Sequence, residues 1–181
     1  MADRVVIVAY DRGWPGLFTD LGALLRVGLG KVALRVDHIG STAVAGLDAK
    51  PILDVQISVA SFEPLDAYRL PLEGLGFVFL PENPDRTKRY FREAPGARRM
   101  HIHVRVAGSW AEQQALLFRD YLRAHGEDAR RYAALKYRLA EQFQDDREGY
   151  TDGKSAFVWE VLARANRWSQ ETGWAPGPPD A

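Results

Sequence analysis

Apolar and polar positions divide this chain into an early helix, a run of strands and a late run of helices. The opening stretch VVIVAYDRGWP reads as a short strand or extended arm ending in a turn. Pro15 suits a first helical turn, where its missing N–H costs nothing. Leu17, Leu21, Leu24, Leu25 and Gly28 then share one face at the 3.6-residue period of a helix. Residues 33–39 alternate, with Leu34, Val36 and His38 on one side and Ala33, Arg35, Asp37 and Ile39 on the other, which predicts a strand. Residues 54–59 alternate again: Val55, Ile57 and Val59 form a buried face, and Asp54, Gln56 and Ser58 the opposite one. A helix is expected over 62–74, strands over 77–80 and 88–93, and a loop between them at 81–85. Residues 100–106 are the clearest strand, with Ile102, Val104 and Val106 facing away from His101, His103 and Arg105.

Beyond that point the period becomes helical. Ser109 with Glu112 three residues later is a capping-box signature for a helix to about His125. Residues 128–144 predict a second helix, with Tyr132, Leu135, Leu139 and Phe143 on its apolar side, and 155–168 a third. Trp110, Tyr121 and Trp159 read as core or helix-packing residues rather than base-stacking platforms. The tail ETGWAPGPPDA is rich in Pro and Gly and predicts a flexible segment. The expected fold class is α+β: a mixed or antiparallel sheet of about five strands with a C-terminal helical group. One domain over residues 1–168 and a flexible tail over 169–181 are expected.

Composition narrows the function classes. The 24 basic and 24 acidic residues cancel, which argues against an extended nucleic-acid surface but leaves room for a local basic pocket. The absence of cysteine excludes disulfides and thiolate metal sites. The start lacks the basic-then-apolar layout of a secretory signal, and no apolar run approaches a membrane span. A cytoplasmic protein with no membrane partner is the expectation.

The chemistry concentrates in HIGSTAVAGLDAKPILDVQISV. The Gly40-Ser41-Thr42 turn follows a strand, and glycine with turn N–H groups lets backbone approach an anion. Asp54 opens the next strand, placed to hold a divalent cation between protein and phosphate. Lys50 precedes that strand; taken singly it reads as a surface lysine, and next to Asp54 as a phosphate contact. His101 and His103, at i and i+2 on one strand face, are candidate metal ligands together with Asp54, and His38 is a third histidine candidate. Taken singly, each histidine reads as a hydrogen-bonding partner within the sheet. Arg92 is the best ligand candidate in the basic stretch 86–99, because a planar guanidinium suits phosphate. Lys154 stands beside a helix start at Ser155, an end that attracts anions.

The stretches HIGSTAVAGLDAKPILDV, RRMHIHV, LLFRDYLRAH, YAALKYRLA and YTDGKSAFV, with YDRGWPGLF, resemble the GrpB family of bacterial proteins from about Val8 to Arg164. The resemblance implies a nucleotidyltransferase superfamily domain with a DNA polymerase β-like fold. It also implies association with kinases, since similar domains occur behind dephospho-CoA kinases. The superfamily's Gly-Ser pair matches Gly40 and Ser41, and its first metal-binding acid matches Asp54, the catalytic candidate. Its second acid has no match: Gln56 stands there, as the family pattern has no acid at that place. The family's His-x-His strand, strand arginine and lysine before the last helix match His101 with His103, Arg92 and Lys154. Where the family's turn commonly has proline, this chain has Ala45. A single carboxylate with two imidazoles shifts the expected metal from Mg²⁺ towards Mn²⁺, Zn²⁺ or Ni²⁺. Three functions remain open: nucleotidyl transfer, binding of a nucleotide or other phosphorylated small molecule without turnover, and an accessory domain.

Overall fold

The computed structural model describes residues 4–181. The elements in chain order are α1 (Trp14–Leu29), β1 (Arg35–Ile39), β2 (Leu53–Val59), α2 (Asp66–Gly74), β3 (Phe77–Phe79), β4 (Arg89–Glu93), β5 (Met100–Val106), α3 (Trp110–Ala124), α4 (Gly126–Gln142), α5 (Arg147–Asp152) and α6 (Ser155–Thr172). The five strands form one sheet in the order β1-β2-β5-β4-β3. β2 and β5 run parallel, and every other neighbouring pair is antiparallel, so the sheet is mixed. Parallel neighbours need a long crossover, and here α2, β3 and β4 supply it.

Alternation sorts the strand residues onto two faces. Val36, Val55, Ile57, Val59, Phe91, Ile102 and Val104 pack with Phe18, Leu21 and Leu25 of α1 and Tyr68 and Leu72 of α2 in the main core. Full burial of one such side chain contributes about 1.5–3 kcal/mol, so this face holds the sheet together. The opposite face carries Asp37, Asp54, Gln56, Ser58, His101, His103 and Arg105. Above it stand α3 to α6, joined around Val44, Leu47, Tyr121, Leu122, Tyr132, Val161 and Ala165.

Several local readings shift by a residue or a face. The α1 face that packs is Trp14, Phe18, Leu21, Gly22, Leu25 and Leu29. Leu24 is 56% exposed. The two aromatic residues set this phase: Phe18 stacks on His38 at 4.8 Å and Trp14 meets Tyr10 edge-on at 5.3 Å. The opening segment is an extended arm, touching Ala49 through a single bridge at Val8. The expected helix over 62–74 begins only at Asp66. Ser109 caps α3 by accepting from the Glu112 N–H. The Glu112 side chain turns instead to Ser58 and the Gly108 N–H, so only half of the capping box forms. α5, absent from the sequence reading, begins with Asp146 accepting from the Gly149 N–H. The tail expected to be flexible makes specific contacts: Arg26 donates to the Ala181 carbonyl, Arg119 to Asp180, and the Trp174 indole to Asp120.

Candidate functional site

The parallel register of β2 and β5 builds the site. It sets Asp54 opposite His101 and Gln56 opposite His103, on one face. Oδ1 of Asp54 lies 3.1 Å from Nδ1 of His101 and 3.1 Å from Nε2 of His103. Tyr90 of β4 packs beside both imidazoles, its ring centroid 5.5 Å from His101 and 5.3 Å from His103. Burial opposes ionisation of Asp54, but hydrogen bonds from His101 and His103 outweigh it and hold the carboxyl far below its ordinary range. Burial lowers His103 to about 4 against the pull of Asp54, so its ring is neutral at physiological pH.

Gly40 brings the turn against this carboxylate. Its φ is 71°, a conformation L side chains rarely adopt, and a Cβ there would lie 2.7 Å from Oδ2 of Asp54. Ser41 and Thr42 continue into one 3₁₀ turn. The Thr42 hydroxyl is engaged at 2.9 Å by Nε2 of His38 and at 3.3 Å by the Ile52 carbonyl. Thr42 lines the cavity wall while its hydroxyl braces the turn.

Two cavities meet at Gly40, Asp54, His103, Tyr132, Thr151 and Lys154. The smaller, about 330 Å³, also takes in Ser41, Lys50, Lys136 and Tyr150. Here three ammonium groups converge on two phenol rings. Lys50 and Lys154 sit 4.7 and 4.5 Å from the Tyr150 centroid, and Lys136 sits 4.6 Å from that of Tyr132. Burial, then the neighbouring Lys154, lowers Lys50 to about 8 and Lys136 to about 7. Burial lowers Lys154 too, while Asp54 opposes it. The larger cavity, about 590 Å³, is walled by Trp110, Phe118, Val158, Trp159 and Leu162 on one side, and by Asp85, Thr87 and Arg105 on another.

Gln56 is fully buried. Its Oε1 accepts from Arg105 at 2.9 Å, and its Nε2 donates to the Glu112 carbonyl at 3.3 Å. The site has no second carboxylate at this position, and a guanidinium stands beside it.

Two sequence candidates fall outside the cleft. His38 pairs with Val55, not Asp54, and therefore points to the core face. There it stacks on Phe18, and burial followed by Arg123 lowers it to about 4. Arg92 lines neither cavity and pairs with Glu93 at 3.2 Å. Conversely, Lys136, Tyr132, Tyr150 and Arg105 join the site. Trp110 and Trp159, expected in the interior, are 66% and 60% exposed at its mouth. Lys136 carried a signal: it sits four residues after Tyr132 and three before Leu139, a lysine on the buried stripe of α4.

A metal ion fits the Asp54 group by donor type and spacing. One atom each from Asp54, His101 and His103 lies within 4.8 Å of the others. A tetrahedral ion with bonds of about 2.0–2.1 Å separates neighbouring ligands by about 3.3 Å, near the 3.1 Å between Asp54 and each imidazole. The outer nitrogens, Nε2 of His101 and Nδ1 of His103, are buried without a hydrogen-bond partner. With its inner nitrogen donating to Asp54, the neutral His103 ring carries a lone pair on its outer nitrogen. A cation in the group would reverse that tautomer and make the outer nitrogen an N–H donor.

The mixed sheet, its α3–α6 cap and the carboxylate on β2 facing a Gly-Ser turn define a nucleotidyltransferase fold. Cid1 in complex with its short product ApU shares this fold at a TM-score of 0.52 and 16% identity, over 76% of this chain and 44% of that one. The pattern of the GrpB protein family matches residues 4–164, and the chain belongs to that family. The crystal structure of GrpB from Enterococcus faecalis superposes at a TM-score of 0.82 with 31% identity, covering 90% of this chain and 99% of that one. A UPF0157 protein of Pseudomonas aeruginosa is 40% identical over 166 residues, 90% of this chain and 68% of that protein. A dephospho-CoA kinase of Mycolicibacterium paratuberculosis is 34% identical over 198 aligned residues, 95% of this chain but only 48% of the kinase. Among the described residues, no helix is long and apolar enough to cross a membrane.

Proposed function

We propose that this chain binds a nucleotide or other phosphorylated small molecule in the Asp54 cleft, together with one divalent cation. The observation that carries this reading is the meeting of Asp54, His101 and His103 with Lys50, Lys136 and Lys154 around one connected space. Three desolvated lysines with few acids among them favour a polyanion, and the acid-imidazole group beside them supplies a place for its counter-cation. Mixed oxygen and nitrogen donors favour Mn²⁺ or Zn²⁺ over Mg²⁺. The ion would polarise a phosphoryl oxygen. Gly40 leaves backbone room beside Asp54, Lys50 and Lys154 neutralise phosphate oxygens, and Trp110, Phe118 and Trp159 offer apolar area to the remainder of the ligand.

Transfer of a nucleotidyl group is the second reading, favoured by the fold. Gln56 in place of an acid favours binding without two-metal chemistry. Partial similarity to dephospho-CoA kinases extends the ligand class to coenzyme A-like compounds and supports a role as an accessory domain beside such a kinase. Titration calorimetry with Mg²⁺, Mn²⁺ and Zn²⁺ and a nucleoside triphosphate panel, on wild type and Asp54→Ala, tests the proposal. Clear binding by wild type and its loss in Asp54→Ala is expected; equally weak binding by both proteins would refute it. Release of pyrophosphate with any acceptor would establish the transfer reading.

A further inference from the structure

The polar face of the sheet carries, at Arg105, a cation that lines the cleft and that the reading above does not use. Arg105 lies on β5 two residues beyond His103, at the register position of Ser58. Its Nη1 donates to Oε1 of Gln56 and to the Ala111 carbonyl, both at 2.9 Å. Both acceptors are neutral. Its Nε is buried without a hydrogen-bond partner. The nearby acids have partners of their own. Asp85 accepts from Thr87 and pairs with Lys88 at 3.5 Å, while Glu112 is taken by Ser58, Gly108 and Gln113. Arg105 nevertheless lines the same cavity as Gly40, Asp54 and His103. A guanidinium that lines a cavity and has only neutral partners is a site for an oxyanion.

The place of this charge matters. A second divalent ion next to Asp54 would need an anionic ligand at position 56, and that residue is a buried amide already bound to a cation. A carboxylate with its divalent ion carries a net charge of +1, and Gln56 with Arg105 carries the same. We infer that Arg105 is the fixed positive charge of this site, binding an oxyanion of the ligand where a second metal ion would otherwise stand, so that the cleft takes a single divalent ion. The inference rests on the proposed binding of a phosphorylated ligand at Asp54.

The test uses Mn²⁺ alone, counted by the electron paramagnetic resonance of the free ion, and inorganic pyrophosphate alone, measured by calorimetry. Wild type is expected to bind one Mn²⁺ per chain. Arg105→Gln should keep that ion and lose about tenfold or more in pyrophosphate affinity, as fits the loss of a charge-assisted contact. Arg105→Lys retains the charge and should recover part of that loss. The double variant Gln56→Asp with Arg105→Gln should bind two Mn²⁺. Two ions bound by wild type, or pyrophosphate affinity unchanged in Arg105→Gln, would overturn this inference and leave the proposed ligand class standing. Wild type binding neither Mn²⁺ nor pyrophosphate would overturn both.

Discussion

Asp37 and Asp54 sit on the same face of the same sheet, one strand apart, and have opposite surroundings. Asp37 is fully buried and paired with Arg35 at 2.9 Å, with Arg119 a further 3.7 Å away. Asp54 has 29% of its side chain exposed, borders two cavities and is held by two imidazoles. Guanidinium groups satisfy a carboxylate in place and close the space around it. Imidazoles hold one ionised while leaving lone pairs and room for a cation. The difference separates a carboxylate that ties elements together from one available to a ligand.

The largest effect is expected where that comparison is broken at its structural end. Asp37→Ala leaves Arg35 without its acid and takes one of three carboxylates from the buried Arg119, which keeps Asp120 at 2.7 Å and Asp180 at 2.8 Å. Breaking a buried pair in this way costs about 3–5 kcal/mol, measurable by urea unfolding. Asp54→Ala should behave in the opposite manner. Metal affinity is expected to fall by more than about 100-fold, beyond the usual effect of losing an outer-shell partner. Stability should fall by less than in Asp37→Ala, by about 1–3 kcal/mol, as the loss of a buried hydrogen-bonded group costs. Matched losses of stability in the two variants would erase the distinction.

The histidines give the next effect. His38 and His103, each lowered to about 4 and ordinarily near 6.5, are neutral when folded. Between pH 6.5 and 4 the unfolded chain binds more protons, so their contribution is complete above 6.5 and is lost as pH falls towards 4. Each group adds a slope of up to about 1.4 kcal/mol per pH unit in that window. Replacing His38 with Gln should remove one share of the slope; unfolding curves at pH 4.5 and 7 measure it. An unchanged slope would mean that His38 is not held neutral.

A subtler effect concerns Lys136, lowered to about 7. A bound anion favours its charged form, so pyrophosphate binding near pH 7.5 should take up a fraction of a proton. Calorimetry in buffers of different ionisation enthalpy measures this uptake, and Lys136→Met should reduce it. The same variant removes a desolvated cation and should raise stability slightly at neutral pH, because the unfolded chain binds more protons from pH 7 to 10.5. The smallest effect is expected at the rim: Trp110→Ala should alter stability by under about 0.5 kcal/mol, as surface changes do.

Much of this was legible in the sequence because alternation is a local property. Val55, Ile57 and Val59, and likewise Ile102 and Val104, announced β2 and β5, and the residues alternating with them announced the polar face. Asp54, His101 and His103 therefore group together on the sequence alone. What escaped depends on tertiary placement. His38 obeyed its strand parity, but parity alone does not say which face meets the cleft; the antiparallel partner Val55 decides it. Arg92 satisfied the chemistry of a phosphate ligand and was captured by Glu93, its neighbour in sequence. Trp110 and Trp159 read as interior by type, yet α3 and α6 turn them towards the opening. The Pro- and Gly-rich tail carried no periodic signal for its contacts with Arg26 and Arg119.

The seven matched pairs between β2 and β5 also act as a gauge of alignment. Sliding one strand past the other by a single step would set the Asp54 carboxylate opposite an aliphatic side chain and drop the rings to the wrong side. Ion capture would thus report the alignment of two segments nearly fifty positions apart. A refolding assay read through metal uptake would time the closure of that junction.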